Sequence, residues 1–320
     1  MKLQRHGILA CLAVTATLAL AACGSDNNTS PTTGSSGGSS AASAISCASG
    51  TVKAQGSSAQ GNAINAWIKA YQTACSGASI DYQPTGSGYR LSGVTTLQLK
   101  SATLAKIFAG KVTTWNDPAI AADNSGATLP ATKILAVHRS DSSGTTDNFT
   151  KFLSKTATAD WTFGNDKNWK APGGSAEKGS DGVAAAIGKS DGTIGYVEWS
   201  FATSGSLKMA KVGNGAGEFA ELTGDAAGKT IASAKTTGTG NDLKLDIDYN
   251  TKAAGAYPIV LVTYEVVCEK GTPSGALPVI KSFLTYTSSA DGQAAAAKAG
   301  YAPLPEEVRG KVATTVGTLS

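Results

Sequence analysis

Apolar and polar positions divide the chain into three regimes. Ile8 to Ala22 is an almost unbroken apolar run behind Lys2 and Arg5. It is too short to span a bilayer comfortably, and residues 1–22 read as a signal peptide. Residues 23–45 are mainly Ser, Thr, Gly, Asn and Ala with no aromatic residue. Such a segment cannot bury enough apolar surface to fold, so a flexible tether is expected, spanning some ~25 Å on average.

Patterned sequence starts near Ser46. Thr51–Gln55 alternates like a strand and runs into Gly56-Ser57-Ser58-Ala59. Ala63, Ile64, Trp67, Ile68 and Tyr71 then recur at helical spacing, and Ser79–Gln83 reads as a second strand ending in Thr85-Gly86-Ser87-Gly88. Two strands that each feed a Gly/Ser turn predict α/β architecture with ligand-facing loops at the strand ends. Further on, Ile134–Val137 is continuously apolar, the form of a strand covered on both faces, and a helix is predicted to start near Asn148-Phe149. Ile259–Val267 reads as a late strand.

Composition narrows the function. The 320 residues hold 27 Lys+Arg against 23 Asp+Glu, two His and five Cys. The net charge of +4 is spread along the chain, and no segment supplies the dense basic face that nucleic-acid binding needs. So few histidines and cysteines leave little material for a metal site, and none is assigned. Cys47 precedes the first strand and Cys75 ends the helix that doubles back along it. A Cys47–Cys75 disulfide fits that return, with two free buried thiols as the alternative.

The strand at Ile134 delivers His138-Arg139-Ser140-Asp141-Ser142-Ser143-Gly144-Thr145-Thr146-Asp147. Small hydroxyl residues and Gly at a helix N-terminus point several backbone N–H groups at one spot, and the helix dipole adds positive charge. Arg139 adds a bidentate cation, and Asp141 is placed to hold its guanidinium. A single cap needs one such residue, whereas this turn stacks several, so an anion site is the stronger reading. Enzyme signatures are weak by comparison. Gly144 is not followed by Lys, so there is no phosphate loop of the nucleotide hydrolases. A catalytic triad would have to use His138, better read as a packed histidine. Ser175-Ala176-Glu177-Lys178 matches Ser-x-x-Lys only loosely, in what reads as a Gly-rich loop.

Several stretches taken in order resemble one family. They are Gly56 to Ala59, Tyr82 to Gly88, Ile107 to Asp117, Arg139 to Thr145, Ser180 to Val183 with Gly195 to Glu198, and Tyr301 to Pro305. They look like the phosphate-binding protein of the Pst ABC transporter in its actinobacterial lipoprotein form, and the likeness runs from Cys47 to the C-terminus. Leu20-Ala21-Ala22-Cys23 likewise resembles a bacterial lipobox, with Cys23 lipidated and the membrane reached by that anchor alone. The resemblance implies a two-lobed, type II periplasmic-binding-protein-like α/β fold. Lobe 1 would be residues 46–88 plus 259–320, and lobe 2 residues 89–258. The lobes would close over one phosphate ion held by Ser58, Ala59, Ser87, Arg139, Ser143, Gly144 and Thr145, with Asp141 orienting Arg139. Implied partners are the permease subunits and, through them, a cytoplasmic ATPase; no cofactor is implied.

One departure stands out. After Gly88, family members continue through a helix, a strand and an aspartate-bearing turn, whereas here Tyr89-Arg90-Leu91 follows directly. A segment on the order of fifty residues is missing, more than one βαβ unit. The family's aspartate accepts the proton of hydrogen phosphate and repels sulfate, so its loss implies weaker, less selective binding and an incomplete first lobe. Cys268 is left without an obvious partner. A non-transporting surface lipoprotein on the same scaffold, or a secreted serine hydrolase, are the competing readings.

Overall fold

The computed structural model describes residues 45–52, 54, 58–75, 78–79 and 89–320, and only the backbone of Ser58, Ala78 and Ser79. The predicted leader, most of the tether, Cys23 and Ser87 therefore lie outside the described residues. In chain order the elements are β1 (Gly50–Thr51), a 3₁₀ turn (Ser58–Gln60), α1 (Gly61–Ala74), β2 (Ala78–Ser79), β3 (Tyr89–Arg90), β4 (Gln98–Leu99), α2 (Ser101–Phe108), α3 (Pro118–Asp123), β5 (Leu135–Arg139) and α4 (Gly144–Thr156). There follow β6 (Ser175–Glu177), α5 (Gly179–Lys189), β7 (Thr193–Gly195), α6 (Trp199–Ser204), β8 (Lys211–Gly213), β9 (Phe219–Ala220), α7 (Gly224–Ala232), β10 (Lys235–Thr236) and β11 (Leu245–Asp246). Three helices close the chain: α8 (Leu277–Ser288), α9 (Ala290–Lys298) and α10 (Glu306–Thr318).

The sheet that positions the site runs β3-β7-β5-β6. β5 lies between two parallel neighbours, with Val137 opposite Ser175 on one side and Gly195 on the other, while β3 pairs antiparallel to β7. Parallel strands are normally covered by helices, and α5 packs close enough that a side chain at Gly195 would meet Ile187 at 2.8 Å and Val183 at 3.1 Å. Coverage is uneven, however: Val137, His138 and Arg139 are buried whereas Leu135 is exposed. The expectation of a strand covered along its whole length thus holds for its C-terminal part, nearest the site.

Four apolar clusters organise the described residues, two large and two small; the small ones are Val137 with Val183 and Ile187, and Ala227 and Ile231 with Val260. Of the large ones, one runs from Tyr89 to Tyr257 and is built on Leu99, Trp115, Phe108, Phe149, Phe152 and Tyr196. The other joins α1, through Ile64, Trp67, Ile68 and Tyr71, to Val279, Phe283, Tyr286 and Val316 of the closing helices. Tyr71 meets Phe283 edge-on, and the Trp67 indole donates to the Gly292 carbonyl at 2.5 Å. Cys47 and Cys75 are disulfide-bonded across 5.4 Å between Cα atoms.

Four sequence expectations are corrected. The helix forecast from Asn148 begins at Gly144, because the Ser143 hydroxyl accepts the Thr145 and Thr146 N–H groups and starts the helix ahead of its apolar periodicity. Ser175-Ala176-Glu177 is not loop but strand, drawn into the sheet by β5. Of the strand forecast over Thr51–Gln55, Thr51 lies in β1, Val52 and Ala54 are not strand, and Lys53 and Gln55 lie outside the described residues. Ile259–Val267 is not a strand: no partner strand lies beside it among the described residues, and Tyr264, Val266 and Val267 are exposed. Cys268, next along the chain, is an exposed free thiol.

Candidate functional site

Arg139 ends β5, and its burial dictates the local chemistry. A buried guanidinium must be hydrogen-bonded and charge-balanced. Its Nε and one terminal nitrogen donate to the two carboxylate oxygens of Asp141 at 2.7 and 2.6 Å, and the other terminal nitrogen donates to Ser180 Oγ at 2.7 Å. The Gly179 N–H donates to the same Asp141 carboxylate at 3.1 Å. The hydrogen bond from Arg139 is the main reason the Asp141 carboxyl sits at about 2, well below the ordinary carboxylate range. The fork-on-fork pairing fixes the plane of the guanidinium.

One turn later the chain enters α4. Ser143 Oγ uses its lone pairs on the Thr145 and Thr146 N–H groups, which leaves its own hydrogen to donate elsewhere. The Gly144 N–H has no partner among the described residues, and open space lies where a side chain at Gly144 would be. Thr145 Oγ1 donates to Glu198 Oε1 at 2.6 Å. Behind them Tyr196, stacked on Phe149, accepts from the Arg139 N–H at 3.1 Å and shares a hydrogen bond with Thr146. Burial pushes its phenol up to about 12. His138 is stacked on Trp169 at 4.9 Å and turns Nδ1 to the Arg139 carbonyl, so it is built into the wall rather than presented as a base.

A cavity of about 220 Å³ opens beside this turn. Much of its wall is apolar, from Leu104, Phe108, Phe149 and Ile194, but one corner is polar and brings Ala59, Thr145, Glu198 and Tyr301 together. Tyr301 stitches that corner: its hydroxyl accepts from the Asn62 N–H at 3.1 Å and donates to the Ala59 carbonyl at 3.0 Å, and Ser200 donates to it at 3.3 Å. The Glu198 carboxyl is driven up to about 7, chiefly by burial, and its Oε2 is shielded from solvent without a hydrogen-bond partner.

Of the residues expected to bind, Arg139, Asp141, Ser143, Gly144 and Thr145 form one continuous turn, and Ala59 shares the cavity with Thr145. Ser58 precedes Ala59 on the 3₁₀ turn, and Ser87 is outside the described residues. Ser180, Glu198 and Tyr301 received no individual role from the sequence, although each lies in a stretch that carried the resemblance.

A family model described as a PBP superfamily domain matches residues 89–291. Phosphate-binding protein PstS 3 of Mycobacterium tuberculosis is 36% identical over 373 positions that take in 100% of both chains. This chain belongs to the PstS family of phosphate-binding proteins. The PstS 3 protein of Mycobacterium leprae is 35% identical over the same span, again with full coverage of both. A match over 373 positions by a chain of 320 residues leaves 53 positions (373 less 320) with no residue here. A solved phosphate-binding protein from Stenotrophomonas maltophilia superposes with a TM-score of 0.54 at 20% identity, covering 77% of this chain and 75% of that one, and so shares the fold. Members of this family are binding proteins and not enzymes, and they work outside the cytoplasm.

Proposed function

We propose that this PstS-family chain captures inorganic phosphate outside the cytoplasm and hands it to the permease subunits of a Pst ABC importer, driven by a cytoplasmic ATPase. The full-length identity to the mycobacterial phosphate-binding proteins carries the reading. The turn from Arg139 to Thr145 supplies a chemical reason. A tetrahedral oxyanion presents roughly a dozen acceptor directions and is prohibitively costly to bury without donors. A braced guanidinium, the Gly144 N–H, the Ser143 hydroxyl and the N-terminus of a thirteen-residue helix follow one another along one turn and support this reading. Ser58, Ala59 and Ser87 complete the ion's shell from the first lobe. In this reading lobe 1 is residues 46–88 with 259–320 and lobe 2 is residues 89–258; the two large apolar clusters fall mainly one to each lobe, and a smaller one, of Ala227, Ile231 and Val260, joins them.

Cys23, once lipidated, anchors the body through the tether of residues 23–45. No helix among the described residues is long and apolar enough to cross a membrane. Weaker and less selective binding than in relatives is part of the reading, because the resemblance puts the aspartate that rejects sulfate in the segment absent after Gly88. Losing one charge-assisted hydrogen bond costs about 1.5–3 kcal/mol, or about one to two decades of affinity. Calorimetric titration of inorganic phosphate into the phosphate-stripped protein tests the reading. Saturable 1:1 binding that Arg139→Ala abolishes is expected, and binding indifferent to Arg139→Ala contradicts the assignment.

A further inference from the structure

Glu198 sits where the oxyanion site meets the cavity, and nothing in the scheme above gives it a role. Its Oε1 takes the Thr145 hydroxyl hydrogen at 2.6 Å, while its Oε2 is sealed from solvent without a partner. Thr145 has a single hydrogen to give and lone pairs to accept with. While an ionised Glu198 holds that hydrogen, Thr145 offers the cavity only acceptors. A neutral Glu198 reverses the link: the carboxylic acid donates to Thr145 Oγ1 and the hydroxyl hydrogen is released toward the ion. We propose that Glu198 is a positioning residue for the oxyanion site, whose protonation sets whether Thr145 meets the bound ion as a donor or as an acceptor. The inference rests on the phosphate-capture reading and deepens it.

The consequence is selectivity. An acceptor at Thr145 tolerates an ion that still carries a proton, such as hydrogen phosphate, and opposes sulfate, which has none to donate. A donor at Thr145 serves both. The protein therefore regains at higher pH some of the discrimination lost with the family's aspartate.

Burial raises the Glu198 carboxyl to about 7, and it also raises Glu265, whose Oε1 accepts from the Gln60 amide at 2.6 Å. From β5, Arg139 favours the charged form of Glu198 but is already paired with Asp141. Tyr301, from the C-terminal segment, is raised by burial and by the Glu198 charge. Tyr89 and Tyr196 are held protonated to about 12, and Tyr257 is raised further, each chiefly by burial. Lys208 lines the cavity, but its ammonium donates to the Val94 carbonyl at 2.6 Å.

Sulfate is the decisive probe because it carries no proton to confuse the titration. Sulfate and then inorganic phosphate are titrated calorimetrically into the phosphate-stripped full chain between pH 6 and pH 8. Sulfate affinity is expected to fall about tenfold across that interval, with phosphate losing less. Glu198→Gln removes the titrating group and Thr145→Val removes the hydroxyl, so either variant should flatten the sulfate profile, while Thr145→Ser should retain it. Using both variants keeps the test intact if one fails to fold. A wild-type slope in Glu198→Gln or in Thr145→Val overturns this proposal and leaves phosphate capture standing. No binding of either ion by folded wild-type protein at any pH overturns phosphate capture, and this proposal with it.

Discussion

Arg139 and Asp141 could be paired from the sequence because they stand two positions apart at the end of a strand, where successive bends turn both side chains toward the same loop. Ser180, Glu198 and Tyr301 could not be assigned in that way. Each reaches its partner across 41, 53 or 242 positions, and only the folded chain brings them together. Two predictions belong to this scale. Arg139→Lys keeps a charge but loses the fork and its bonds to Asp141 and Ser180, so phosphate affinity should drop at least tenfold and the melting temperature should fall with it, as read by calorimetry beside a thermal scan. The second concerns stability against pH. Glu198 titrates at about 7 when folded against about 4.5 unfolded, so its neutral form favours the folded state. That contribution is complete below pH ~4.5 and is lost as pH rises through ~7, up to about 3 kcal/mol in all. Urea unfolding of Glu198→Gln should therefore show a flatter stability profile between pH 5 and pH 8 than wild type. Asp141 behaves oppositely: held at about 2, it stabilises above about pH 4 and ceases to do so as pH falls through its folded value.

Among the elements, α1 and α4 were readable because each carries its own apolar periodicity, whereas the turns forecast at Gly56–Ala59 and Thr85–Gly88 lie largely outside the described residues. The start of α4 was misplaced since its first turn is held by a cap rather than by apolar residues. The segment 259–267 misled for a different reason. Its run of branched and aromatic residues reports a preference for a sheet, but a strand exists only where another offers hydrogen bonds, and none does so among the described residues. Cys47 and Cys75 enclose the first 3₁₀ turn and α1 at a separation of 28 residues. Reducing this bond should cost roughly 3–4 kcal/mol by the loop-entropy relation, seen as a lowered melting temperature in reductant. Alkylation of the folded, unreduced protein followed by peptide mapping should modify Cys268 and leave Cys47 and Cys75 unmodified. Modification of all three would contradict the pairing.

For the whole molecule, family and fold were legible because matched stretches recur in order along the body, and the full-length identity to mycobacterial PstS proteins agrees with them. The measurement that bears most directly on phosphate capture is calorimetric titration of inorganic phosphate, then of sulfate, into the phosphate-stripped protein at pH 7. The account predicts saturable binding of one phosphate per chain, with sulfate weaker by no more than about a hundredfold and competing for the same site. A folded protein that takes up neither ion would contradict it and leave a PstS scaffold serving some other purpose.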